Sequence, residues 1–224
     1  MPRPRRLAPI RALAAGAALL VAAAPAAARV LLTVEEALAL AFPGAAIERR
    51  TVFLTADEVA RAAELAGERP ASAIVHPYVA TAAGELVGTA YFDSHVVRTL
   101  AETVMVTVDP EGRVGRVEVL SFDEPPDYLP RAEWYRQFAG RPLDAELELR
   151  RAIRPVAGAT LTARATTDAA RRVLALHRVL AETSRAAHPS SAASAGRPDA
   201  PGNAHPPPPT PADPTRPEGA VSSR

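Results

Sequence analysis

The stretch IRPVAGATLTARATTDAARRVL, from Ile153 to Leu174, sets four hydroxyls close behind one glycine: Thr160, Thr162, Thr166 and Thr167 follow Gly158. At Gly158 the backbone can take a positive φ or come close to another group. The residues after it have helical spacing. The first N–H groups of a helix lack intrahelical partners and lie at the positive end of its dipole. Such a start, rimmed by small residues and hydroxyls, is a seat for phosphate or a similar anion. A plainer reading uses the same residues: Thr160, Thr162 or Thr167 caps the helix and nothing binds there. The residues alone leave both readings open.

Other chemistry-bearing residues are sparse. Asp93 and His95 stand two apart in a strand-like run and therefore share a face. They form either a polar site or a half-buried hydrogen-bonded pair. His76, His177, His188 and His205 are scattered, with no metal-ligand spacing. The absence of Cys removes disulfides, thiolate nucleophiles and Cys-ligated metals. Every basic side chain is Arg, so no lysine amine is available. No Gly-x-Ser-x-Gly elbow, Walker-type loop, Gly-x-Gly-x-x-Gly or His-Glu-x-x-His occurs. A formal charge of +1 over 224 residues gives no reason to expect a nucleic-acid partner.

The elements that must position these residues can be read from periodicity. TVEEALALAF from Thr33 has an N-cap, early acids and apolar helical spacing, and it stops before Pro43-Gly44. TADEVARAAELAG repeats the design, with Thr55 as N-cap, Glu58 as capping-box acid and Gly67 as stop. The period then falls to two. SAIVHPYVAT and ELVGTAYFDSHVV, joined by Ala82-Ala83-Gly84, predict a hairpin. ETVMVTVDPEGRVGRVEVLSF predicts another, turning at Asp109–Gly112. DEPPDYLP is irregular, RAEWYRQFAG gives a short helix with Trp134 and Phe138 one turn apart, and PLDAELELRRAI fits helix or strand equally. A long helix, TTDAARRVLALHRVLAE, closes the ordered part with Ala170, Val173, Leu174, Leu176 and Leu180 inward. Together these predict an α+β fold, an antiparallel sheet of hairpins with helices packed on one side.

Both ends differ from this middle. Residues 1–28 combine a basic start, an apolar Ala-rich run and an Ala-x-Ala pattern, which predicts an export signal cleaved after Ala28. Uncleaved, it would be a membrane anchor, although a spanning helix wants roughly 20 apolar residues and this run is interrupted by Pro25. Residues 184–224 are rich in Pro, Ala and Ser, with almost no large apolar side chains, and predict a disordered tail.

The GATLTA stretch, starting a C-terminal helix, resembles the Ser-Gly-Ala-Thr-x-Thr-Ser signature of the FMN-binding domain family. That domain occurs in the flavin subunits of sodium-pumping NADH:quinone reductase and Rnf complexes and in related periplasmic proteins. A second block agrees. VEVLSFDEPPDYL followed by EWYRQF is similar to the family's Glu-Thr-Pro-Gly-Leu-Gly-like loop and its Trp–Phe pair, in the same order. The resemblance runs from about Tyr78 to Leu180. It implies a domain over 29–183, with an N-terminal helical part over 29–70 and a core over 71–183.

The resemblance further implies one FMN, esterified through its phosphate to Thr160 by a flavin transferase acting outside the cytoplasm. The phosphate would sit at the turn Gly158–Thr162, which includes Ala159, and the isoalloxazine would lie against the Asp123–Leu129 loop that holds Glu124, with Leu161 and Tyr128 as apolar contacts. The family's motif has an acid six residues before the modified Thr and a Ser or Thr three before it; here those places hold Arg154 and Ala157. Arg154 would instead contact the phosphate or the flavin's N1–C2=O side. The expected protein is a periplasmic electron carrier between redox partners, with a redox protein or a membrane electron-transfer complex among them, touching the membrane itself only if its N-terminal segment stays uncleaved. The alternatives are a non-covalent FMN-binding protein or reductase of the same fold, and a flavin-free periplasmic interaction module.

Overall fold

The computed structural model describes residues 30–187; the expected export signal and all but the first four residues of the expected tail lie outside them. Helix α1 (Val34–Ala41) and helix α2 (Ala56–Ala66) each start at a threonine whose hydroxyl accepts from the N3 amide, while the N3 glutamate reaches back to the cap. Gly67 ends α2 in the left-handed region at φ 85°. Between the helices lie β1 (Ala46–Arg49) and β2 (Val52–Phe53), two strands in the part expected to be helical. β2 pairs with β3 (Ile74–Val75), splitting the SAIVHPYVAT run at His76-Pro77.

The main sheet is antiparallel throughout, in the order β1, β4 (Tyr78–Ala82), β5 (Glu85–Val96), β6 (Ala101–Val108), β7 (Val114–Phe122). Both expected hairpins form, β4–β5 and β6–β7. A third, β5–β6, turns through Val97–Leu100. A one-turn 3₁₀ segment (Pro126–Tyr128), helix α3 (Ala132–Tyr135) with a further 3₁₀ turn (Arg136–Phe138), and an irregular stretch then lead to α4 (Thr160–Ala187). PLDAELELRRAI is neither helix nor a named strand; it is a set of turns with one isolated bridge, Leu149 to Ile153.

From Val104 to Val108 β6 is buried on both faces, so both are covered. Val104, Val106 and Val108 face Ala169, Ala170, Val173 and Leu174 of α4, together with Phe138 and Ile153. Met105, on the opposite face, packs with Ala90 and Leu120 against Ala37 and Leu38 of α1. The expectation of helices on one side therefore holds for α3 and α4, while α1 covers the back. α4 also runs to Ala187, beyond the boundary expected at 183. No helix of the described residues is long and apolar enough to cross a membrane.

Candidate functional site

α4 begins where the chain has been clamped in place. Trp134 Nε1 donates to the carbonyl of Arg154 at 2.7 Å, and the N–H of Arg154 donates to Gln137 Oε1 at 2.8 Å. Trp134 also stacks edge-on against Phe138, which is wholly buried. The Trp–Phe helix thus fixes the approach to Gly158, which turns at φ 81° with open space where a side chain would stand. The carbonyl of Ala159 accepts the first intrahelical bond, from Ala163 N–H at 2.9 Å. Ala159 is therefore the N-cap, and it has no side-chain acceptor for the amides of the first turn.

The four hydroxyls do different things. Thr162 is buried and donates to the carbonyl of Tyr128 at 2.6 Å. Thr166, also buried, reaches Glu102 Oε2 at 3.4 Å, and Thr167 bonds back to the carbonyl of Ala163 at 2.7 Å. Thr160 alone stays partly exposed, held only by a long 3.3 Å bond to the carbonyl of Val156. Among the described residues, no threonine hydroxyl accepts from a first-turn amide of α4, so the simple capping reading does not describe this helix.

Thr160 opens into a cleft of about 230 Å³ lined by Gly158, Ala159, Leu161, Thr162, Tyr128 and Arg98. Six of the eight residues singled out in the sequence thus meet at one place. Leu161 is half exposed at its mouth. Tyr128 forms a wall, with the Arg98 guanidinium 5.0 Å from its ring centroid.

The other two residues act at one remove or elsewhere. Glu124 is buried, and its Oε1 accepts from the backbone N–H groups of Arg98, Thr99 and Leu100 at 3.2, 2.7 and 3.0 Å and from the Thr99 hydroxyl at 3.3 Å. The Thr99 and Leu100 amides above all hold its carboxyl below the usual range. Glu124 thereby fixes the β5–β6 turn that carries Arg98. Arg154 uses its backbone, as described, and its exposed side chain is not part of the cleft lining.

Arg98 is the residue that sequence reasoning missed. Its signal was slight: a lone base in the short connection between two strand-like runs. The Asp93–His95 pair is present but belongs to a larger buried network. His95 bonds Asp93 at 2.8 Å and Glu102 at 2.9 Å, and Arg172 grips both oxygens of Asp93 at 3.0 and 2.7 Å. Among the described residues no group of His, Asp or Glu is placed to hold a metal ion. A larger cavity, about 550 Å³, lies elsewhere, between β7 and α3, and none of the eight residues singled out in the sequence lines it.

The cleft is built to hold an anion: uncapped amides at the positive end of a 28-residue helix, one available hydroxyl and one guanidinium. No curated protein and no solved structure matches the chain. Residues 101–175 do match a family model, and the matched span runs from the first residue of β6 through Glu124, Tyr128 and the clamp of Arg154 to the first half of α4. The family is the FMN-binding domain, and the stretch Gly158–Thr162 lies inside the matched span.

Proposed function

We propose that the protein is an exported electron carrier whose FMN is esterified through its phosphate to Thr160 Oγ1. The observation that carries this reading is the division of labour among the threonines: Thr162, Thr166 and Thr167 give their hydroxyls to Tyr128, Glu102 and Ala163, and of the two that line the cleft, Thr160 and Thr162, Thr160 alone is partly exposed. The donors fit a phosphate. First-turn amides of α4 supply N–H groups without intrahelical partners, Arg98 supplies a fixed positive charge, and Gly158 leaves the entrance open. Leu161 and Tyr128 offer apolar surface beside it for an aromatic ring system.

Bound FMN supplies the redox chemistry, and the protein binds, orients and tunes it. The ester would form by attack of Thr160 Oγ1 on the flavin-side phosphorus of a flavin dinucleotide, breaking its P–O–P bond and releasing the nucleoside monophosphate and the hydroxyl proton, the work of a flavin transferase outside the cytoplasm. The signal-like N-terminus supports a periplasmic location. An open cleft with the half-exposed Leu161 at its mouth suits exchange of electrons with a redox protein or a membrane electron-transfer complex. Arg154 and Ala157, where the resemblance predicts an acid and a hydroxyl, favour the second reading, FMN held at the same cleft without the ester.

The deciding experiment expresses the full chain in an export-competent host carrying a flavin transferase. Yellow colour that survives acid denaturation, with a mass gain of FMN less water on the Thr160 peptide, supports the ester. Colour released by acid supports the non-covalent reading. Protein that stays colourless in excess FMN rejects both and leaves the flavin-free interaction module. Recovery in the periplasmic fraction, with a mature N-terminus near Arg29, tests export.

A further inference from the structure

The seam between β5 and α4 is polar where a seam between buried elements is ordinarily apolar. Tyr91, Asp93 and His95 project from one face of β5. Tyr91 Oη meets His177 Nδ1 at 3.1 Å, and Asp93 meets Arg172. His95 meets Glu102, which Thr166 also reaches. Two residues along a strand advance about 6.7 Å and five along a helix about 7.5 Å, so the antiparallel elements keep step. The seam descends from His177 toward the start of α4. Its lower end borders a cavity of about 290 Å³ lined by His95, Val96, Val97, Arg164 and Leu161. Leu161 also lines the cleft of Thr160, so the two spaces adjoin at that side chain.

His95 bonds a carboxyl through each ring nitrogen. A neutral imidazole has one N–H to give; an imidazolium has two. Burial opposes that charge, yet the bonds to Asp93 and Glu102 outweigh it and lift the His95 pKa to about 9. Stability does not explain the choice, because buried ion pairs are commonly matched by well-packed apolar residues. Glu102 even keeps one buried oxygen, Oε1, without a partner.

We propose that the Asp93–His95–Glu102 chain tunes the flavin held in the adjoining cleft, the His95 imidazolium stabilising the extra negative charge of the reduced cofactor. The proposal rests on the FMN reading above. His95 is a positioning charge here, acting through space. The other groups around it are fixed in the same frame. Arg164, Asp168 and Arg172 come from α4, and Glu68 pairs with Arg172 at 2.8 Å. Tyr135 of α3 has its phenol pushed up by burial and then by Glu102, which places it in the same field. Asp168 is raised, chiefly by burial. Loss of the His95 charge leaves Asp93 with Arg172 and Glu102 with the Thr166 hydroxyl. A unit charge roughly 10 Å away at an effective dielectric near 20 changes an equilibrium by about tenfold.

The test uses the full chain loaded with FMN, equilibrated with redox dyes of known potential from about pH 6 to about pH 10. In the wild type, reduced flavin should lose about tenfold in stability relative to oxidised flavin as the pH passes about 9, beyond its ordinary pH slope. His95→Gln should remove that inflection and weaken the reduced state about tenfold at neutral pH. Glu102→Gln should shift it the opposite way. Apo protein gives an independent reading, since the His95 ring protons should titrate near pH 9 by NMR. Superimposable profiles with FMN bound overturn the tuning and leave the FMN reading intact. Wild type that takes up no FMN overturns both. Should His95→Gln not fold, the wild-type profile decides, and a featureless one overturns the proposal.

Discussion

Helices α2 and α4 both start among threonines, yet their first turns are satisfied in opposite ways. Thr55 and Glu58 close a capping box around the amides of α2, and Thr33 with Glu36 does the same for α1. α4 is more than twice as long as either, 28 residues against 11 and 8, and starts at an alanine. Its threonine hydroxyls turn away from its own amides toward carbonyls and Glu102. A missing cap costs about 1 kcal/mol. The two short helices are finished by side chains at their own starts, whereas no threonine side chain caps the first-turn amides of the long one. The lesson is that a hydroxyl-rich helix start can mean a cap or its absence, and which carbonyls stand nearby decides.

The comparison can be broken most sharply at the anchor. Thr160→Val should abolish acid-stable flavin altogether, whereas Thr162→Val should retain it and lose only the bond to the Tyr128 carbonyl; peptide mass spectrometry separates the two. Covalent flavin surviving in Thr160→Val would sink the assignment.

The next largest effect belongs to the inward side of α4. The His95 pKa is raised in the folded protein to about 9, so its stabilisation is complete below the unfolded value near 6.5 and is lost as pH rises through about 9. The loss is of the order of 3 kcal/mol, and little is screened because the side chain is 11% exposed. Thermal unfolding followed across that window should show the fall in wild type and a flatter curve in His95→Gln. On the acid side, burial of Asp93 is outweighed by its bonds from His95 and Arg172, which bring its pKa to about 2. Its contribution is present above about pH 4 and lost as pH falls through about 2.

A smaller effect tests the caps themselves. Thr55→Ala should cost about 1 kcal/mol of stability and leave FMN uptake unchanged. Ala159→Ser gives α4 the cap it lacks, and should stabilise the flavin-free protein by up to about 1 kcal/mol while weakening FMN binding several-fold. Denaturant titrations and flavin fluorescence read the two quantities separately; tighter FMN binding in Ala159→Ser would contradict the anion-seat reading. The smallest effect is expected for Arg154→Ala. Its backbone holds the clamp and its side chain stands outside the cleft lining, so FMN affinity should change less than twofold.

Much of this was legible in the residues. Thr33/Glu36 and Thr55/Glu58 predicted two helix starts correctly because a capping box is complete within four residues. Asp109–Gly112 fixed a hairpin turn for the same reason. The strands β1 and β2 were missed because their few residues show little alternation, and pairing with β4 and β3 makes them strands. PLDAELELRRAI was ambiguous, and its turns are set by Asp144 accepting from Glu146 and Leu147. At the site, the resemblance placed Glu124 and Arg154 with the ligand, and the structure gives both of them partners within the chain. One is engaged with the β5–β6 turn, the other holds its own backbone in the clamp of Trp134 and Gln137.

What the sequence by itself determined is short-range: the caps, the hairpin period, the turn at Gly158 and the start of a long helix behind it. Those rest on sterics and hydrogen bonds among neighbours. Tertiary structure decided which threonine faces out, that Arg98 joins the cleft, and that His95 sits between two carboxyls. The contacts responsible, Glu124 with Thr99, Thr162 with Tyr128, Thr166 with Glu102 and Arg172 with Asp93, span 25, 34, 64 and 79 residues. Such pairs are set by strand order and by how α4 lies across the sheet, and no local pattern of residues encodes a distance of that kind.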